Sequence, residues 1–304
     1  MSSSPPDGFT SRSVTLDDAP AVNALVVAAD EAVQGWSDST ESDLTDWWRE
    51  VDLEHDSWVV EEGSSPVAYG VLYPRGETAD LDCYVHPDRK RLGLGNWLLA
   101  RGEERARVHG LPRGHAWALA PDEDARRLFE LREFSEVRRY YRMLIDMDGP
   151  PPEADWPEGF RVDTFSLEDA EAFHAALAEA FAEEWNWVPT PFERWLETRV
   201  HAPEADLSLW FIVREGEEIV AVLRGDAQRF NSGWVGAVGV RKGWRRRGLG
   251  LALLHHAFGE FYRRGERRVA LGVDAQNPTG ATRLYERAGM HVAYEAVAFE
   301  KELK

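Results

Sequence analysis

Two stretches of this chain repeat one another. GFTSRSVTLDDA at 8–19 and GFRVDTFSLEDA at 159–170 align with an offset of 151, from Phe9 to Phe160 and from Leu16 to Leu167. Further on, Gly93-Leu94-Gly95 matches Gly248-Leu249-Gly250 at an offset of 155, and LFELREF from Leu128 matches LYERAGM from Leu284 at 156. An offset that grows slowly in fixed order marks small loop insertions in one of two copies, whereas chance matches scatter. A chain of 304 residues with 43% hydrophobic content has apolar surface enough for two ordinary cores. The duplication therefore predicts tandem domains at 1–148 and 159–304. The segment between them, 149–158, carries four prolines and reads as an ordered, non-helical linker.

The order of elements is plainest in the second copy. FRVDTFS predicts a strand, LEDAEAFHAALAEAF has helical apolar spacing, and PFERWLETRV gives a short proline-bounded helix. Three strands follow in succession, LSLWFIVREG, EEIVAVLRGDA and SGWVGAVGV. An arginine-rich loop then leads into the helix LALLHHAFGEFYRRG, the strand RRVALGVDA, the helix TGATRLYERAG and a last strand VAYEAVAFEKEL. An antiparallel meander followed by alternating helices and strands predicts an α/β (α+β) fold in each copy, its mixed sheet first antiparallel and then parallel, with flanking helices.

Composition narrows the function. A formal net charge of -19 argues against a general nucleic-acid binder, whose footprint is basic over a whole face. No run approaches the roughly eighteen apolar residues of a membrane span, and the opening MSSSPPDGFTSRS has no secretory apolar stretch, so the expected location is cytoplasmic, with no membrane partner. The single cysteine, Cys83, rules out an internal disulfide and a multi-cysteine metal site. No metal cofactor is expected; the adjacent His255 and His256 point different ways on a helix and read as packing and surface residues.

Against that acidity, VGVRKGWRRRGLG (238–250) packs five cations, Arg241, Lys242, Arg245, Arg246 and Arg247, into seven residues. They repel one another, and the expectation is an anion to compensate them. The loop follows a strand and opens a helix, where unpaired N–H groups and the helix dipole attract anions. Gly248 and Gly250 permit close approach to the backbone. A P-loop needs Gly-Lys-Ser/Thr and a dinucleotide fingerprint needs a third glycine where Leu253 stands, so neither applies.

The remaining form, Arg245-x-x-Gly248-x-Gly250, resembles the acyl-CoA pyrophosphate loop of the GCN5-related N-acetyltransferase family. Val238-Gly239-Val240 is similar to the strand segment that receives the acetyl carbonyl and pantetheine arm in that family, and Asn277 with Leu284-Tyr285-Glu286-Arg287-Ala288-Gly289 is similar to its second half-site. With the duplication, the resemblance covers nearly the whole chain and extends to the two-domain, mycothiol synthase type. It implies acetyl-CoA as co-substrate, held by Val238, Gly239, Val240, Arg245, Arg246, Arg247, Gly248, Leu249, Gly250, Leu251, Asn277 and Tyr285. Two departures stand out: Lys242 occupies a place where proline is frequent, and one strand instead of two follows the last helix of each copy.

Acetyl transfer to an amine needs a neutral nitrogen, donors for the developing oxyanion and a proton for the departing thiolate. Tyr285 is the expected general acid, because a phenol matches a thiolate in basicity, and the N–H of Val238 the expected oxyanion donor, with a bulge at Gly239 splaying the strand. No carboxylate occurs between Ser232 and Val240, which leaves Glu183, Glu184 and Asp226 as alternatives for the base. Trp185, Trp187 and Trp195 stand where the resemblance places the acceptor loop; they read either as acceptor contacts or as a local aromatic core. The second copy has no cysteine, so direct attack in a ternary complex on a small-molecule amine is expected.

The first copy keeps Gly93 and Gly95 but has Phe129, Glu133 and Pro121 at the positions of Tyr285, Gly289 and Asn277. Phenylalanine cannot protonate a thiolate, so this copy reads as non-catalytic, although Asp80 and Asp82 leave carboxylates on its equivalent strand. A tandem acyl-CoA sensor and an acetyltransferase of protein amines remain the alternatives. Oligomeric state is not legible.

Overall fold

The computed structural model describes residues 4–203 and 205–303. By contacts the chain divides into two compact units, Met1–Tyr140 together with Tyr294–Lys304, and Tyr141–Ala293.

In the first unit, β1 (Thr10–Arg12) leads to α1 (Ala19–Gln34), α2 (Glu41–Trp48) and the single turn α3 (Leu53–Asp56). The meander β2 (Ser57–Glu62), β3 (Ser65–Arg75) and β4 (Thr78–Val85) is antiparallel throughout. Helix α4 (Leu94–Val108) crosses over to β5 (Arg113–Leu119), which runs parallel to β4, and α5 (Glu123–Leu131) follows.

In the second unit, β7 (Phe160–Thr164) precedes α6 (Ala170–Phe181) and the short α7 (Phe192–Trp195). Strands β8 (Trp210–Glu215), β9 (Glu218–Arg229) and β10 (Ser232–Val240) form the antiparallel part. Helix α8 (Leu249–Arg263) returns the chain to β11 (Arg268–Asp274), parallel to β10, before α9 (Ala281–Arg287). The predicted order and the mixed sheet are thus those observed.

The remaining strands, β6 (Ser135–Asp146) and β12 (His291–Glu302), do not close the sheet of the copy that encodes them. The C-terminal strand pairs antiparallel with β5, from Ala296 opposite Leu119 to Glu302 opposite Arg113, and completes the first unit. Strand β6 lies beside β11, and its buried Met143, with Met147 just beyond, enters the core of the second unit. The division therefore falls near Tyr140 and Ala293, and not in the proline-rich segment at 149–158. Sheet pairing sets it, and hydrophobic patterning along one strand says nothing about which partner that strand takes.

Packing follows the pattern. Phe165, Phe173, Trp195 and Trp210 form a cluster of ring contacts at 5.2–5.9 Å beneath α6. Of the two readings for Trp195, the core one holds: it is 4% exposed. His256 likewise packs edge-on against Phe211, its ring 4.7 Å away.

Candidate active site

The arginine-rich loop turns sharply into α8. Arg246 and Gly248 both take left-handed backbone conformations, with φ of 64° and 90°, and Arg91 and Gly93 of the first copy do the same at 64° and 85°. The first intrahelical bonds are those of Leu251 and Ala252 to the carbonyl of Gly248. Among the described residues, no protein acceptor takes the N–H groups of Gly248, Leu249 and Gly250. Free amides at a helix start, unshielded by a side chain on Gly248, give a geometry suited to an anion.

The side chains behave differently from expectation. Arg241 binds Glu179 and Glu218, Lys242 and Arg245 share Glu183, and Arg247 lies 3.5 Å from Glu215. Four of the five cations are thus compensated by carboxylates, so the anion expected for this cluster is in large part supplied by the protein itself. Among the described residues, Arg246 alone of the five has no carboxylate within ion-pair distance. Arg245 acts as a brace, donating also to the carbonyls of Val240 at 3.2 Å and Ala180 at 3.2 Å.

Strand β10 opens a gap beside the loop. Its parallel pairing with β11 covers only Gly233 with Val269 and Trp234 with Ala270, after which the strands part. The bulges lie between Ser232 and Trp234 and between Val235 and Ala237; Gly239 sits in regular register opposite Val222, so the expected bulge at Gly239 is displaced toward the start of the strand. Arg241 donates its N–H to Val220 of β9 at 2.9 Å. Because backbone groups alternate along a strand, Val238 and Val240 turn theirs toward the edge that β11 has left. Gly239 has another role: a Cβ there would stand 2.7 Å from that of Ala180, so only glycine lets the end of α6 approach the strand this closely.

These elements line a cleft of about 280 Å³. Glu184 from the end of α6, Val238–Val240, the loop around Gly248, Asn277 and Tyr285 all contribute to its walls. Glu184 accepts from Asn277 Nδ2 at 3.1 Å. Burial and the charge of nearby Asp274 raise its carboxyl to about 7. Tyr285, 8% exposed, has its hydroxyl pushed well above the ordinary range by burial and by Glu184. Glu183 faces the other way, and its ion pairs to Arg245 and Lys242 hold it below the usual carboxylate range.

Other predicted residues lie elsewhere. Asp226 is on β9 opposite Trp234, with a carboxylate oxygen 4.0 Å from Arg224, and neither it nor Trp185 or Trp187 lines this cleft. Sequence reasoning missed Asp274 and Thr279. The run Asp274-Ala275-Gln276-Asn277 after an apolar strand is a signal for turns closed by side chains, and both carboxamide and carboxylate are so used: Asp274 accepts from the N–H of Gln276, and Asn277 from Thr279.

In the first copy the corresponding space is filled differently. Tyr84 stands where the second copy has Gly239, paired with Tyr69 as Gly239 is with Val222, and the two tyrosine rings stack at 6.4 Å. Phe129 packs against Phe134 and Phe299. Asp82 is pushed up to about 7 by burial and by Asp30 and Asp80.

The model of the acetyltransferase (GNAT) family matches residues 23–134 and again 170–290, one match for each copy. The chain belongs to the GNAT family. It is accordingly an acyltransferase of the N-acetyltransferase type. Among its GNAT relatives, a mycothiol acetyltransferase of Streptomyces scabiei is 35% identical over 228 residues, covering 72% of this chain and 70% of that protein. Another from Thermobispora bispora is 32% identical, covering 75% and 77%. A GCN5-related N-acetyltransferase from Sphaerobacter thermophilus superposes with a TM-score of 0.87 at 37% identity, over 98% of this chain and 97% of that one. A tandem GNAT protein from the clavulanic acid biosynthesis pathway shares the fold, with a TM-score of 0.75 at 20% identity over 97% and 99%. Among the described residues no helix is long and apolar enough to cross a membrane.

Proposed function

We propose that the second copy transfers an acetyl group from acetyl-CoA to the primary amine of a small molecule, by direct attack in a ternary complex. The observation that carries this reading is the convergence of Glu184, Tyr285 and the free amides of the helix start on one cleft. When bound, acetyl-CoA supplies the activated acyl group. The N–H groups of Gly248, Leu249 and Gly250, with the side chain of Arg246, suit its phosphates, and the strand edge at Val238 and Val240 suits its extended arm. Arg245 and Arg247, already paired with carboxylates, serve to hold the loop in shape.

Glu184 takes a proton from the acceptor ammonium, a role matched by a carboxyl that titrates near neutrality. The N–H of Val238 faces the place where negative charge develops on the carbonyl oxygen. Tyr285 remains protonated throughout the neutral range and gives its proton to the departing thiolate. The first copy, with Phe129 at the place of Tyr285, acts as a non-catalytic partner domain. The relatives named mycothiol acetyltransferase favour a small-molecule acceptor over a protein amine.

Calorimetry with CoA, followed by release of free thiol from acetyl-CoA over a panel of amino sugars, polyamines and amino acid amides, tests the proposal. Saturable CoA binding and amine-dependent release are expected. Normal binding with no release over the whole panel would establish a sensor instead.

A further inference from the structure

We propose that Asn277 is a positioning residue for Glu184: its side chain is locked by Thr279 in the one orientation that presents an amide donor to the carboxylate. This inference deepens the proposal that Glu184 is the base and rests on it. Asn277 Oδ1 accepts from the N–H of Thr279 at 2.8 Å and from its hydroxyl at 2.5 Å. Two donors on one end of the carboxamide identify that end as oxygen, so the other end, 3.1 Å from Glu184 Oε1, is the NH₂. The turn itself is closed by backbone bonds from Asn277 to the carbonyl of Asp274 and from Gly280 to that of Asn277. Both ends of the carboxamide therefore have partners within the protein, and the second N–H of Nδ2 is left for a ligand.

The arrangement has a chemical consequence. Oε1 of Glu184 is held by a neutral donor, which leaves Oε2 as the oxygen to accept a proton. The groups that face this carboxylate are Asp274 from the end of β11, Asn277 from the next loop and Tyr285 from α9. Arg245, Arg246, Arg283 and Arg287 also line the cleft, and Arg245 is tied to Glu183. Asp274 favours the protonated carboxyl by repulsion, and the Asn277 donor favours the carboxylate. Burial raises the carboxyl most, and these two groups then adjust where it titrates in opposite directions.

Asn277→Ala removes the donor without adding a charge, and Asn277→Asp keeps the oxygen that Thr279 needs while adding a like charge beside Glu184, so the pair separates positioning from turn formation. The direct readout is the ¹³C carboxyl resonance of Glu184 in the ligand-free full chain, identified by its loss in Glu184→Gln and followed from pH 5 to 9. In Asn277→Ala the midpoint should rise by about one unit, in Asn277→Asp by more because a like charge is added, and in Asp274→Asn it should fall. An unaltered midpoint in folded Asn277→Ala would overturn the proposal, leaving Asn277 a turn residue only. The acid limb of kcat/KM, measured in parallel, should move with the resonance. If the resonance shifts and the limb does not, the positioning stands and Glu184 is not the base. Absence of any turnover likewise defeats the activity reading alone.

Discussion

Glu183 and Glu184 are consecutive, yet they leave the end of α6 in different directions: the first bridges Arg245 and Lys242 on the loop side, and the second accepts from Asn277 inside the cleft. One residue is a strut and the other a candidate base. Glu184→Gln should lower kcat/KM roughly 100-fold with CoA affinity kept, the usual scale for loss of a general base. Glu183→Gln should leave the chemical step intact and weaken CoA through the loosened loop. Equal effects of the two on single-turnover rates would remove the distinction.

The same carboxyl gives a pH dependence of stability. Its folded titration point, about 7, lies above the ordinary carboxylate value, so the native state binds more protons than the unfolded chain between about 4.3 and 7. Stability is thereby lost as pH rises through that window. Glu184→Gln should stabilise the fold at pH 8, by an amount on the order of 1 kcal/mol after allowance for solvent screening, and so raise Tm there while leaving it unaltered at pH 4. Calorimetric scans at the two pH values check this.

Tyr285→Phe removes a hydroxyl and little volume. Turnover should drop by roughly 100-fold while calorimetric CoA binding is preserved. A fall in binding with turnover per bound CoA kept would show a packing role in place of proton donation.

Gly239 has no room for a side chain. Gly239→Ala places a methyl 2.7 Å from Ala180 Cβ, and overpacking of this kind costs about 1–3 kcal/mol. Relief of the clash must move the end of α6, and with it Glu184. A lowered Tm accompanied by a shifted acid limb is the expected pair of results, from thermal melts and pH–rate profiles.

His115 is fully buried between Asp80 on β4 and Glu300 on the C-terminal strand, at 2.9 and 3.0 Å. Burial opposes its charge, but the hydrogen bonds to the two carboxylates outweigh burial and raise its pKa. A raised histidine stabilises fully below its unfolded value, about 6.5, and loses that contribution as pH climbs through the folded value. The Tm should therefore decline above neutrality for the wild type, and His115→Gln should flatten that decline while lowering Tm at pH 6.

Much of the fold was legible because it is written locally. The period of apolar residues marks β8, β9 and β10 as strands and α8 as a helix, and the glycines at 248 and 250 announce a tight turn into that helix without any knowledge of its neighbours. The charge balance of the arginine-rich loop is not written locally. Backbone amides are guaranteed by a helix start, whereas the five cations around them are mostly matched by Glu179, Glu183, Glu215 and Glu218. Those partners lie some tens of residues away in the chain, and no motif announces them.

The sequence by itself determined that this chain is two copies of one unit, that each copy runs from a meander into a crossover, and that the second copy keeps the phenol the first has lost. Only the tertiary structure decided which of three carboxylates enters the cleft, that Asn277 holds it, and that β12 completes the sheet of the first unit. The reason is the range of the forces. Backbone geometry and amphipathic period are fixed by residues a few places apart. The proton affinity of Glu184 is set by its burial and by Asp274, remote along the chain and brought near only by folding, and a strand's apolar face is satisfied by any partner that covers it.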